Sequence, residues 1–245
     1  GNDTGVGVGK FECSLDNSNF TACTSPVQSV NLTDGTHIVQ IKAQDTVGNT
    51  GGLPSSFRWT VDTTAPTTTI DSATDGRGKE IATNGNSSSN SIALAFSGND
   101  TGVGINHFEC SIDSSNPVIC TSPIEFNSIR DGIHTISVAA EDNSSNKDPT
   151  PALLNWTVDT SPPTTTINSV EDVNQSSLPN GASTKSTSVV VAFSGTDAGG
   201  VGIERYQCSI DNSNFVTCTG PVAFSNLKDG VHILHLRAVD NVGNT

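Results

Sequence analysis

The feature that most constrains this chain is that it repeats itself at the length of a domain. Phe11-Glu12-Cys13-Ser14-Leu15-Asp16 returns as Phe108-Glu109-Cys110-Ser111-Ile112-Asp113, and again as Tyr206-Gln207-Cys208-Ser209-Ile210-Asp211, at intervals of 97 and then 98 residues. Each copy is therefore large enough to hold a core of its own, unlike a solenoid turn that must lean on its neighbour. Gly1-Asn2-Asp3-Thr4-Gly5-Val6-Gly7 matches Gly98-Asn99-Asp100-Thr101-Gly102-Val103-Gly104, and Asn244-Thr245 matches Asn49-Thr50. The expected division is a repeat lacking its first strands over 1–62, a complete repeat over 63–159, and a repeat lacking its last strand over 160–245. The chain reads as a window on a longer repetitive polypeptide, with a strand exchanged between chains as the alternative.

Strand signals crowd each copy. In the second, alternation sets Ile92, Leu94 and Phe96 on one face, then Phe108, Cys110 and Ile112, then Ile136, Val138 and Ala140, then Leu154, Trp156 and Val158. Their neighbours are mostly polar, the period-two pattern of antiparallel strands with one face buried. Gly, Asn, Asp and Pro punctuate these segments, and about seven short strands per copy predict an all-β fold: tandem immunoglobulin-like β-sandwiches joined end to end by short Pro-containing linkers.

The six cysteines fall as Cys13/Cys23, Cys110/Cys120 and Cys208/Cys218, one pair per copy. An even count paired within each repeat, with no His or further Cys at metal-ligand spacing, predicts three disulfides and an oxidising compartment. With Cys13 directly opposite Cys23, Asp16 would face Phe20, and the turn would be Asn17-Ser18-Asn19.

The net charge of −14 disfavours partners that are themselves polyanions, so neither nucleic acid nor an anionic membrane surface is expected. No apolar run approaches the 18 residues of a spanning helix, so membrane insertion is not expected. Gly5-Val6-Gly7-Val8-Gly9-Lys10 superficially suggests a phosphate loop, but Thr4 stands where the first Gly is required and Phe11 follows the Lys; it reads as a turn between strands. Trp59 and Trp156 are expected as core aromatics of closing strands. His37, His134 and His232 follow Asp-Gly turns and are expected to serve a structural role such as a cross-strand hydrogen bond. With no recurring nucleophile beside them, no catalytic residue is assigned and no enzyme is expected.

Cys-Ser-(Leu/Ile)-Asp, Cys-Thr-Ser-Pro, Asp-Gly-x-His, Val239-Asp240-Asn241-Val242-Gly243-Asn244 and the linkers Val61-Asp62-Thr63-Thr64-Ala65-Pro66 and Val158-Asp159-Thr160-Ser161-Pro162-Pro163 resemble the bacterial and archaeal Ig-like repeats of large extracellular surface proteins and adhesins. The resemblance implies an extracellular or cell-surface location and service as a spacer, stalk or fibre. It needs no cofactor.

Two kinds of decoration are expected. In such a sandwich Asp62, Asp100 and Asp142 would gather at one domain junction, and Asp159, Asp197 and Asp240 at the next, a donor set suited to calcium and similar to the junction sites of some Ig-like adhesin repeats. The competing reading is that these aspartates only cap turns. Covalent glycans are expected on some of the sequons at Asn2, Asn19, Asn31, Asn86, Asn99, Asn143, Asn155 and Asn174, and on the Thr-rich linkers, although a chain this rich in Asn, Ser and Thr scatters sequons by composition. The function expected is a structural component of an extracellular fibre, filament or stalk whose partner is itself. The alternative is an adhesin segment gripping a surface glycan or protein through its loops.

Overall fold

The structure is a computed structural model and describes residues 5–245. Among these residues there is no helix. In the first copy, β1 (Val8–Leu15), β2 (Thr21–Cys23), β3 (Gly35–Asp45) and β4 (Ser55–Val61) form one sheet ordered β2-β1-β3-β4. The second copy holds β5 (Thr67–Asp75), β6 (Gly85–Ser87), β7 (Ile92–Asn99), β8 (Ile105–Ile112), β9 (Val118–Cys120), β10 (Ile124–Phe126), β11 (Gly132–Asp142) and β12 (Ala152–Val158). They make two sheets, β10-β7-β5 and β6-β12-β11-β8-β9. In the third, β13 (Thr164–Asp172), β14 (Val189–Thr196), β15 (Ile203–Ile210), β16 (Val216–Cys218), β17 (Val222–Phe224) and β18 (Leu234–Asp240) make the sheets β13-β14-β17 and β16-β15-β18. By spatial contact, one compact unit holds the described residues up to Thr69 with Gly98–Glu109 and Ala139–Pro151, and a second holds Ile70–Ser97, Cys110–Val138 and Ala152–Thr245.

The alternation read from the sequence is realised as burial. Ile92, Leu94, Phe96, Cys110, Ile136, Val138, Ala140, Leu154, Trp156 and Val158 are all buried. These β-branched and aromatic side chains occupy the inward face of pleated strands, where their apolar area leaves water at roughly 25 cal/mol per Å². In the first copy the matching face is open. Phe57 is 67 % exposed where its counterpart Leu154 is 3 % exposed, and Trp59 is half-buried. Phe11, Val39, Ile41, Phe57 and Trp59 line a groove of about 850 Å³ there.

All three disulfides form, with Cα–Cα separations of 5.8, 5.9 and 5.9 Å. The register differs from the one expected: Cys13 lies opposite Thr21 and Phe11 opposite Cys23, so the bond joins diagonal neighbours. The turn is Asp16-Asn17, both at positive φ, closed by Ser18 N donating to Leu15 O at 3.0 Å. Asp113-Ser114 and Asp211-Asn212 repeat it. A two-residue turn with positive φ at both centres follows the strand twist, and this outweighs the three-residue loop suggested by composition. The Gly-rich run is likewise more than a turn: Gly7 has φ +84, but β1 already begins at Val8 and its register shifts between Val8 and Lys10. At Gly9 an added Cβ would meet the Asp45 carbonyl, so a bulge there needs glycine.

Candidate cation sites at the linker aspartates

Asp62, just after β4, meets Asp100, just after β7, and Asp142, the last residue of β11; one carboxylate oxygen of each lies within 4.8 Å of the others. All three residues belong to the first compact unit. Asp159, Asp197 and Asp240 converge in the same way inside the second. Asp142, Asp159 and Asp240 are fully buried, and Asp62 is nearly so.

Each carboxylate is held by backbone that the local sequence shapes. Asp142 Oδ1 accepts from Ser144 N (2.7 Å) and Asn146 N (2.8 Å), while Oδ2 accepts from Asn146 Nδ2 (2.8 Å). Asp240 receives the same three bonds from Val242 and Asn244. Turn capping by these aspartates is therefore real, and it leaves their carboxylates pointing into the cluster. Asp62 Oδ1 accepts from the Thr64 hydroxyl at 2.7 Å and Oδ2 from Val103 N at 2.9 Å. Those bonds, the Thr64 hydroxyl foremost, hold the Asp62 carboxyl below its ordinary range. Asp159 Oδ2 accepts from Val201 N at 2.9 Å. The linker is also tied by its main chain: Asn146 Nδ2 donates to Asp62 O at 3.0 Å and Asn244 Nδ2 to Asp159 O at 2.9 Å.

Glycine makes the approach feasible. A Cβ on Gly102 would collide with the Asp62 carboxylate, and one on Gly200 with those of Asp197 and Asp159. Three like charges at this spacing repel one another unless a cation or a proton intervenes. Asp100 Oδ1 is buried without a hydrogen-bond partner in the protein. A buried carboxylate oxygen left over in an acidic cluster fits a hard divalent ion that takes oxygen ligands.

The remaining candidates sort clearly. His37 Nδ1 faces Asp16 Oδ2 at 2.8 Å and Nε2 faces Thr33 O at 2.7 Å; His134 and His232 repeat this with Asp113 and Arg130 O, and with Asp211 and Lys228 O. These histidines are cross-strand clasps, as their position after the Asp-Gly turn predicts. Of the sequons, Asn2 lies outside the described residues. Asn19, Asn31, Asn99, Asn143 and Asn174 are exposed, while Asn86 and Asn155 are half-buried. Asn143 Nδ2, the atom a glycan would take, already donates to Val103 O and Gly104 O at 3.0 Å each. The linker threonines are similarly committed: Thr63 and Thr160 hydroxyls donate to Asp34 and Asp131, and Thr68 Oγ1 accepts from Ala140 N.

The sequence reading missed a third convergence of ligand-type groups, His107, Glu109 and Glu141, on the outward face of β8 and β11. The only signal for it is His-x-Glu facing a Glu on the adjacent strand. Lys147 pairs with Glu109 and holds its carboxyl below the ordinary range.

Residues 27–85 match the family of bacterial Ig-like domains (group 3), running from the later part of the first copy through the linker into the second. No curated protein matches the chain. Among solved structures, the fibronectin(III)-like modules of Clostridium thermocellum CbhA are similar at 16 % identity and a TM-score of 0.35, covering 64 % of this chain and 82 % of that one. A tetra-tandem repeat from the extending region of a large adhesion protein is similar at 17 % identity and a TM-score of 0.29, covering 98 % of this chain and 65 % of that one. The family match thus covers residues 27–85, and the strand pattern found there recurs along the chain.

Proposed function

We propose that this chain is a structural, non-enzymatic segment of an extracellular fibre or cell-surface stalk, in which calcium at the linker aspartates stiffens the connection from one repeat to the next. The observation that carries the reading is the identical fastening at both linkers. Asp62 and Asp159 each accept from the loop of the following repeat through Val103 N and Val201 N, and each offers its carbonyl to Asn146 or Asn244. Such a joint limits the hinge that a free linker would allow, and Ala65-Pro66 and Pro162-Pro163 narrow it further. Three disulfides with no free cysteine support an oxidising, extracellular setting. A cation at each cluster would neutralise the converging carboxylates and lock linker to loops. The partner in this reading is another copy of the same polypeptide.

Electron cryo-microscopy of the native material, read at the two linkers, tests this. Continuous beads with density between Asp62, Asp100 and Asp142 are expected; isolated rods whose loops hold a glycan or a foreign protein would overturn it in favour of an adhesin.

A further inference from the structure

His107 and Glu109 stand two residues apart on β8 and therefore share one face of the strand. With Glu141 of β11 they bring one imidazole nitrogen and two carboxylate oxygens within 4.8 Å of one another. All three residues belong to the same compact unit.

The other two copies show what this place holds elsewhere in the chain. In the first, the ladder sets Lys10 opposite Gln44 and Glu12 opposite Lys42, and both lysines pair with Glu12, at 2.9 and 3.1 Å. In the third, it sets Arg205 opposite Val239 and Gln207 opposite Arg237, whose Nε donates to Gln207 Oε1 at 2.8 Å. Two permanently charged cationic side chains thus stand at this place in each. In the second copy the corresponding positions hold His107 and Ala139, and Glu141 replaces the uncharged Gln44 and Val239. The same set of positions turns from net positive to net negative. Lys147, joined to Glu141 by an antiparallel bridge, supplies one ammonium, which pairs with Glu109.

His107 also differs from the clasp histidines. Those present both ring nitrogens to oxygen acceptors at 2.7 to 2.8 Å, whereas His107 Nε2 lies 3.9 Å from Glu109 Oε1, beyond hydrogen-bond reach, although its side chain is only 20 % exposed.

We propose that His107, Glu109 and Glu141 form a binding site, particular to the second copy, for a borderline divalent transition-metal ion of the zinc type. An imidazole nitrogen favours such ions over calcium, and two carboxylates complete a three-ligand set that leaves a further position for water. The linker clusters differ in kind, because every ligand there is a carboxylate oxygen suited to a hard ion. Ligand atoms around a tetrahedral zinc ion stand roughly 3.4 Å apart, so the three groups must close by about an ångström, which glutamate rotamers allow. Lys147 has to leave Glu109 as the ion enters. Its side chain is 47 % exposed, and an ion pair so open to water is weakly held. The inference does not depend on the linker sites holding calcium.

The test is calorimetric titration of the whole chain with zinc near neutral pH, with calcium in excess so that any site for a hard ion is already engaged. One saturable event per chain is expected, accompanied by a shift of the His107 ring signals in NMR spectra. His107→Lys, which introduces the residue type of Lys10, should abolish the event. Glu141→Gln should weaken it by more than the roughly tenfold that loss of an outer-shell partner costs. Lys147→Met should strengthen it up to about fivefold, the worth of an exposed ion pair. Melting curves without zinc establish that each variant folds. No event with the unaltered chain, or an event that survives His107→Lys, would overturn the proposal. Zinc binding that calcium suppresses would overturn it too, by assigning the ion to the linker aspartates.

Discussion

Asp16 Oδ2 lies 2.8 Å from His37 Nδ1, while Asp16 Oδ1 accepts from Ile38 N at 2.9 Å, so one carboxylate from the turn after β1 pins both the side chain and the main chain of β3. The same pair of bonds recurs as Asp113 with His134 and Thr135, and as Asp211 with His232 and Ile233. Both ring nitrogens of each histidine thus face an oxygen acceptor, one a carboxylate and the other a carbonyl.

A pH dependence follows. The hydrogen bond to Asp16, then that to the Thr33 carbonyl, raises the pKa of His37 above its ordinary 6.5; Asp211 and the Lys228 carbonyl do the same for His232. The histidines reciprocally lower Asp16 and Asp211 below 3.8. A raised histidine contributes its stability fully below the unfolded value and loses it as pH rises through the folded one. A lowered aspartate contributes above its unfolded value and loses this as pH falls through the folded one. The clasps at His37 and His232 are therefore strongest between about pH 4 and pH 6.5. Melting temperatures from about pH 5 to pH 9 should fall across the raised histidine range, and the double variant His37→Gln, His232→Gln should flatten that fall. A profile unchanged by the double variant would refute the assignment.

Calcium should stabilise the chain. At a hundredfold excess over the dissociation constant, binding to the folded state alone contributes about 2.7 kcal/mol. Asp100→Asn and Gly102→Ala should each weaken the first site, the second by pushing the Asp62 carboxylate aside, and Asp240→Asn the other. Calorimetric titration of chelator-treated protein checks this; no heat and no shift in melting would remove the cation from the account.

Reduction of the disulfides should cost somewhat under ~3 kcal/mol per repeat on chain-entropy grounds, because each bond spans a sequence separation of only 10. Urea unfolding with and without reductant measures it. Cys110→Ser with Cys120→Ser should reproduce the loss in the second copy alone.

Trp156→Ala should cost about 3–5 kcal/mol, since the side chain is fully buried among core residues. Phe57→Ala, on the open face of the first copy, should cost under about 1 kcal/mol. Equal losses at the two positions would mean that the Phe57 face is covered in solution.

Much of this protein was legible in its amino-acid order alone. The recurring Cys-Ser-x-Asp and Asp-Gly-x-His segments announced three equivalent copies, the paired cysteines and the structural histidines, and the alternation through Ile92–Phe96 and Leu154–Val158 told which side chains form the core. These are local properties: period-two alternation and turn chemistry are written within a few residues. Register was not. Moving Cys13 from Cys23 to Thr21 is a shift of two residues, which keeps every side chain on the same face, so hydrophobic alternation is blind to it and the two-residue Asp16-Asn17 turn decides. The commitment of the linker threonines to Asp34 and Asp131 and the meeting of His107, Glu109 and Glu141 also belong to the tertiary structure. Each depends on which distant segment arrives beside it, and no spacing within the chain encodes that.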